Sequence, residues 1–174
     1  MKLFSYLRVE LNRIFHLRTV YMIILLTMIS PILGYNLKGT MFKTMLAQST
    51  SGDLIVKPCI IGALVSGVLF ALLTLVEFAR VNKHQIGALT NSIVSPLVIN
   101  VVRMLAIATI AIVSVIITAL MYLPYVVVKM GYAFDAYTYF NNFFLFMPFS
   151  VLLSILAASA FYQIFLCIVN FKVN

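Results

Sequence analysis

The chain has 174 residues, of which 64% are apolar and only 9% charged, with a mean hydropathy of +1.13 and a formal net charge of +8. A water-soluble core has no use for that much apolar side chain, so the composition excludes an ordinary soluble domain. The basic residues are scattered through short polar stretches with no basic-aromatic patch, which argues against nucleic-acid binding.

Residues 1–18, MKLFSYLRVELNRIFHLR, place Leu3, Phe4, Leu7, Leu11, Ile14 and Phe15 on one helical face and Ser5, Arg8, Asn12, Arg13 and His16 on the other. This predicts an interfacial helix, with its apolar face in the headgroup boundary and its arginines toward anionic lipid. It does not read as a cleaved signal peptide: the basic region is long and contains Glu10, and Pro31-Ile32-Leu33 offers no small-residue cleavage pattern.

Four apolar runs follow, at 19–37, 58–76, 104–128 and 143–171. Each is close to the roughly 20 residues that a helix needs to cross a hydrocarbon core. They are apolar on every side rather than alternating, which excludes membrane barrel strands. Pro31 is expected to kink or end the first span, and the tract from Lys38 to Lys57, with Gln48-Ser49-Thr50-Ser51-Gly52-Asp53 at its centre, reads as a solvated external loop. Pro58 opens the second span, where a missing N–H costs least. Ala63 and Gly67 lie four apart in that span, and Ser154 and Ala158 repeat the spacing in the fourth; both pairs read as helix-packing surfaces.

Between the second and third spans, 80–95 is too polar to cross a membrane and too apolar for a plain linker. Ile86, Leu89, Ile93 and Leu97 recur at helical spacing, so a short amphipathic cytoplasmic helix is expected to end before Pro96, with Arg103 snorkelling from the start of the third span. The next loop, around Gly131 and Asp135, is short and aromatic. Tyr132, Tyr137 and Tyr139 read as an interfacial belt, and Asn141 or Asn142 as a cap for the fourth span.

Lys2, Arg8, Arg13, Arg18, Arg80, Lys83, Arg103 and Lys172 fall on one side of this arrangement, against Lys38, Lys43, Lys57 and Lys129 on the other. That bias places both termini and the middle loop in the cytoplasm. The expected fold is therefore all-α: a single transmembrane domain over 1–174, a helical bundle of about four spans with an N-terminal interfacial helix and a short cytoplasmic helix.

Catalytic chemistry is hard to find. The two histidines, His16 and His84, stand apart from each other and from Cys59 and Cys167, with no metal-ligand spacing and no HExxH. The cysteines read as small buried hydrophobes too far apart to bridge. Glu77, Arg80 and Arg103 fall at the cytoplasmic edge, leaving Thr74, Ser114, Thr118 and Gln163 as the interior polar groups, which argues against a proton-coupled carrier. The Gly62 to Gly67 spacing mimics part of a P-loop, but Val68-Leu69 stand where Lys and Ser/Thr are needed. No catalytic, metal or cofactor site is expected, and any ATP-driven work would have to come from a partner.

The helix MKLFSYLRVELNRIF running into the first span, the pattern Glu77-Phe78-Ala79-Arg80, and the later Gly87-Ala88-Leu89 and Ser95-Pro96 together resemble the permease subunit of type-2 ATP-binding-cassette (ABC) exporters. The resemblance covers most of the chain. It implies a multi-pass protein of the bacterial inner membrane that pairs with a cytoplasmic ABC ATPase and with a second permease copy or paralogue. Its cargo would be amphipathic or lipophilic. It also implies a coupling element at 80–95 that docks on the ATPase, carried by Glu77, Arg80, Lys83, His84, Ile86, Gly87, Leu89 and Ile93. The departure is in span number, because halves of that family normally have six. The alternative is a non-transporting scaffold or immunity protein that binds another membrane protein through surfaces such as Ala63 and Gly67.

Overall fold

Backbone groups flanked by apolar side chains on every side are satisfied most simply within their own segment, and the apolar runs do this as helices. The computed structural model describes residues 2–36, 52–83 and 96–173, and no strand occurs among them. Helix α1 covers Lys2–Phe15 and α2 Arg18–Asn36. A five-residue π turn, Gly52–Val56, leads into α3, Lys57–Lys83. Helix α4 is Pro96–Met130, a 3-10 turn covers Gly131–Ala133, and α5 is Ala136–Val173.

The protein is an all-α bundle. Helices α2 to α5 run alternately up and down, and the packing order around the bundle is α2, α3, α5, α4, so α3 and α4 stand on a diagonal although they are consecutive. Among the described residues three segments are long and apolar enough to cross a membrane: Leu54–Arg80, Val98–Ala133 and Ala136–Phe165. The fourth candidate is the pair Phe4–Phe15 and Arg18–Gly34, which passes only together and is bent by 79° at the break between the two helices.

Small residues line part of the bundle's interior, beside large ones such as Phe70 and Phe143. Along α4, Ala106, Ala111, Ser114, Thr118 and Ala119 are buried, while Leu105, Val113, Leu120 and Met121 are exposed. The buried hydroxyls bond back to their own helix: Ser114 Oγ donates to the Ala111 carbonyl, Thr118 to Ser114 and Thr74 to Phe70. Small inward faces let helices approach closely. At Gly67 an added Cβ would lie 2.8 Å from Ser154 Oγ and 2.9 Å from Ser150 Oγ; at Gly34 it would lie 2.6 Å from the Pro58 Cα.

Several local expectations need correction. Pro31 does not end its helix, which runs on to Asn36. A proline at this position leaves the Thr27 carbonyl without its N–H donor, and the Ser30 hydroxyl supplies one at 2.7 Å. The cap of α5 is Asp135, whose carboxylate accepts from the Tyr137 and Thr138 amides, whereas Asn142 donates to the Thr138 carbonyl inside the helix. Tyr132 and Tyr137 are exposed, but Tyr139 is fully buried and donates its hydroxyl to the Ala119 carbonyl at 2.6 Å. Gln163 lies on the outside of the bundle. Nor is the apolar face of α1 wholly turned outward: Ile14 belongs to the core and Leu7 and Leu11 pack on it, leaving Phe4 and Phe15 exposed.

Candidate functional site

Five charged side chains from three helices meet at one end of the bundle. Glu10 and Arg13 stand one turn apart on α1, so both face the same way. Glu77 and Arg80 are spaced likewise near the end of α3, and Arg103 sits in the second turn of α4. Arg13 forks onto Glu10, with Nε and Nη2 donating to the two carboxylate oxygens at 3.0 and 2.7 Å. The same Nη2 reaches Glu77 Oε2 at 2.7 Å. Arg103 Nε donates to Glu10 Oε1 at 3.0 Å, and Arg80 completes the cluster loosely, 3.9 Å from Glu77.

Burial is unequal across this network. Glu77 is 1% exposed and Arg103 7%, while Arg13 and Arg80 reach 35% and 46%. Arg103 therefore does not snorkel; its guanidinium turns inward, lying 5.5 Å over the Phe78 ring and against Glu10. Arg13, read as facing lipid, instead holds α1 to α3. Burial alone would push the Glu10 carboxyl up, but the hydrogen bonds and charges of Arg13 and Arg103 outweigh it and hold it below its ordinary value. Each buried carboxylate has at least one guanidinium partner, which is the condition under which burial of such charges is tolerated.

A second feature is apolar. The seam between α2 and α4 opens as a groove of about 840 Å³ lined by Tyr21, Leu25, Met28, Ile29, Met121 and Tyr125, with Tyr122 at its floor. The Tyr122 hydroxyl donates to the Met28 carbonyl at 3.0 Å and is hydrogen-bonded to the Ile32 amide, so it sits in the backbone ladder of α2 beside Pro31.

Of the coupling residues expected from the sequence, the structure brings Glu77 and Arg80 into the charge cluster. Lys83 ends α3, and its side chain lies outside the described residues, as do His84, Ile86, Gly87, Leu89 and Ile93. The four packing residues lie on the facing sides of α3 and α5: Ala63 and Ala158 are buried, Gly67 meets Ser154, and Ser150 Oγ donates to the Ala63 carbonyl at 2.9 Å. That face is covered within the chain, so a scaffold would need another surface.

No family model, curated protein or solved structure matches this chain.

Sequence reasoning missed Glu10, Arg13 and Arg103 as partners in a network. The signal was present: Glu10 is the only acidic residue in the first fifty, with Arg13 one helical turn on, and Glu77 and Arg103 flank the middle loop. Four acidic residues in the whole chain are too few to be decorative, and two of them sit here. Among the described residues no group of three His, Cys, Asp or Glu side chains converges as a metal site, and Cys59 is buried.

Proposed function

We propose that the chain is a multi-pass membrane protein, a permease-type subunit that pairs with a separate cytoplasmic ABC ATPase and moves an amphipathic or lipophilic substrate. The observation that carries this reading is the ion network, which ties α1, the end of α3 and the start of α4 into one unit at the mouth of the 84–95 segment. A force applied to that segment by a nucleotide-driven partner would reach three helices at once, as rigid-body coupling requires.

The membrane part of the reading rests on the outward-facing leucines, isoleucines and phenylalanines of α2 to α5, far beyond the apolar patch a soluble monomer exposes. Helix α2 has 19 residues and runs the height of the bundle, so four crossings are favoured, with α1 lying in the interface. The excess of basic residues at the end bearing the network supports a cytoplasmic location for that end, at the inner membrane of a bacterium. The groove between α2 and α4 offers room for lipophilic cargo, within the roughly 300–1,000 Å³ of ligand sites generally.

The test is a gentle detergent pull-down of the tagged chain from its native membranes, with mass spectrometry of what co-purifies. Recovery of an ABC ATPase, lost when 80–95 is scrambled, is the expected result. Recovery of other membrane proteins alone, unaffected by that scrambling, would replace the permease reading by the scaffold or immunity one.

A further inference from the structure

The charge network does not balance. Arg13, Arg80 and Arg103 set three cations against Glu10 and Glu77. Arg13 is bonded to both carboxylates through Nε and Nη2, whereas Arg80 is 46% exposed and 3.9 Å from Glu77, a separation too long for a hydrogen bond. Among the described residues Arg103 hydrogen-bonds through Nε alone, and its guanidinium lies over the Phe78 ring. One positive charge is thus left in excess where α1, α3 and α4 meet, and Arg80 is its exposed, loosely paired member.

An apolar groove adjoins that charge. Leu75 and Ala79 of α3 and Phe161, Tyr162, Ile164 and Phe165 of α5 line a space of about 490 Å³. The two features share a wall: Phe78, under the Arg103 guanidinium, packs on Tyr162 with ring centroids 5.6 Å apart, and Ala79 immediately precedes Arg80. Charge and apolar surface in that order, at one end of a bundle, match the order of groups in a phospholipid, with its anionic headgroup above an acyl chain.

We propose that this end of the molecule is a binding site for an anionic phospholipid, its phosphate on the exposed Arg80 and an acyl chain between α3 and α5. A basic pocket between helices at the cytoplasmic leaflet is where such headgroups are recognised by charge. The site needs the membrane but not an ATPase, so it stands or falls apart from the transport reading. A bound lipid would brace α3 against α5 beside the network and so set how firmly the charged end is held.

The experiment is native mass spectrometry of the full chain released from detergent, titrated with phosphatidylglycerol and, separately, with phosphatidylcholine of the same acyl chains. Phosphatidylglycerol is expected to be retained about tenfold more tightly, since each arginine near the headgroup contributes a several-fold preference. Arg80→Gln should cut that preference about fivefold, and Ala79→Phe, which fills the groove, should weaken both lipids together. Millimolar inorganic phosphate should not displace the lipid. Equal retention of the two lipids, an unchanged ratio in Arg80→Gln, or displacement by phosphate alone would overturn the proposal. Should Arg80→Gln fail to fold, the wild-type chain decides: the preference must shrink as salt is raised from 50 to about 500 mM, because a headgroup contact is screened, and a salt-independent ratio counts against the site.

Discussion

Glu77 is 1% exposed, and the fold tolerates a carboxyl group there because Arg13 reaches it at 2.7 Å. Glu77→Gln keeps the shape and loses the charge, leaving Arg13 on Glu10 and releasing Arg80. Since Arg13 and Arg80 are both more than a third exposed, water screens much of what is lost, and a cost of about 1–2 kcal/mol is expected. Thermal unfolding in detergent would read this as a fall in Tm; an unchanged Tm would mean the pair is idle. Glu10 adds a pH dependence whose sign follows from its depressed pKa. In the unfolded chain its carboxyl titrates near 4.5, and in the fold below that. The stabilisation it supplies is therefore complete above the unfolded value and is lost as pH falls through the lower folded one. Melting should be flat in this respect from neutral pH to about 5 and then decline, and the decline should flatten in Glu10→Gln. Asp135 behaves similarly at the other end of the bundle, where accepted bonds from Thr138 and Tyr137 depress its carboxyl. Asp135→Ala removes the cap, and hydrogen exchange of the Tyr137 and Thr138 amides should quicken while amides deeper in α5 stay protected; Asp135→Asn should largely restore the slow rate.

Helices α3 and α5 meet across Gly67, Ser150 and Ser154. A methyl group at 67 would fall 2.8 Å from Ser154 Oγ and 2.9 Å from Ser150 Oγ, well inside van der Waals contact, so Gly67→Ala should cost about 1–3 kcal/mol as an overpacked interface. Ser154→Ala does not remove the β-carbon but takes away the nearer oxygen, and the double variant should recover part of the loss in a detergent melting assay. Additive losses would show that the helices simply move apart. This interface was legible in advance, because small residues four apart stand out against leucine and isoleucine. The same contrast on α4 marks its inner face by Ala106, Ser114 and Thr118, even though a scale of hydrophobicity cannot tell one face of an all-apolar helix from another. Other features were not legible for physical reasons. Pro31 was expected to kink or end its helix; the helix runs on because the rescuing donor is the hydroxyl of the preceding residue, whose value depends on the helix already being formed. Asp135 lost out to Asn141 and Asn142 because helix starts are fixed by geometry that three neighbouring polar residues satisfy almost equally well on paper. The charge network required knowing that α1 folds back at 79° to α2 rather than lying away from the bundle.

At the scale of the whole molecule, the contacts define two ends. One carries the network of Glu10, Arg13, Glu77 and Arg103 together with the Phe78–Tyr162 contact; the other carries Gly34 against Pro58 and the turn at Gly131. Every helix from α2 to α5 joins one end to the other, so an even number of crossings follows if the apolar bundle is embedded as a unit, and α1 must then share its side with the charged ends of α3 and α4. Three crossings, with α2 left in the interface, would break the seam where Gly34 meets Pro58 and expose the buried hydroxyls of Thr27 and Ser30. Impermeant maleimide labelling distinguishes the two. In a chain freed of Cys59 and Cys167, Ser5→Cys and Tyr132→Cys place thiols at two exposed positions, one at each end. In intact spheroplasts Tyr132→Cys should react and Ser5→Cys should not, and in inverted vesicles the pattern should reverse. A third thiol at Arg80 should follow Ser5. If Ser5→Cys instead labels together with Tyr132→Cys while Arg80→Cys stays protected, α2 does not cross, the network cannot form in the membrane, and the unit that ties α1 to α3 and α4 falls with it.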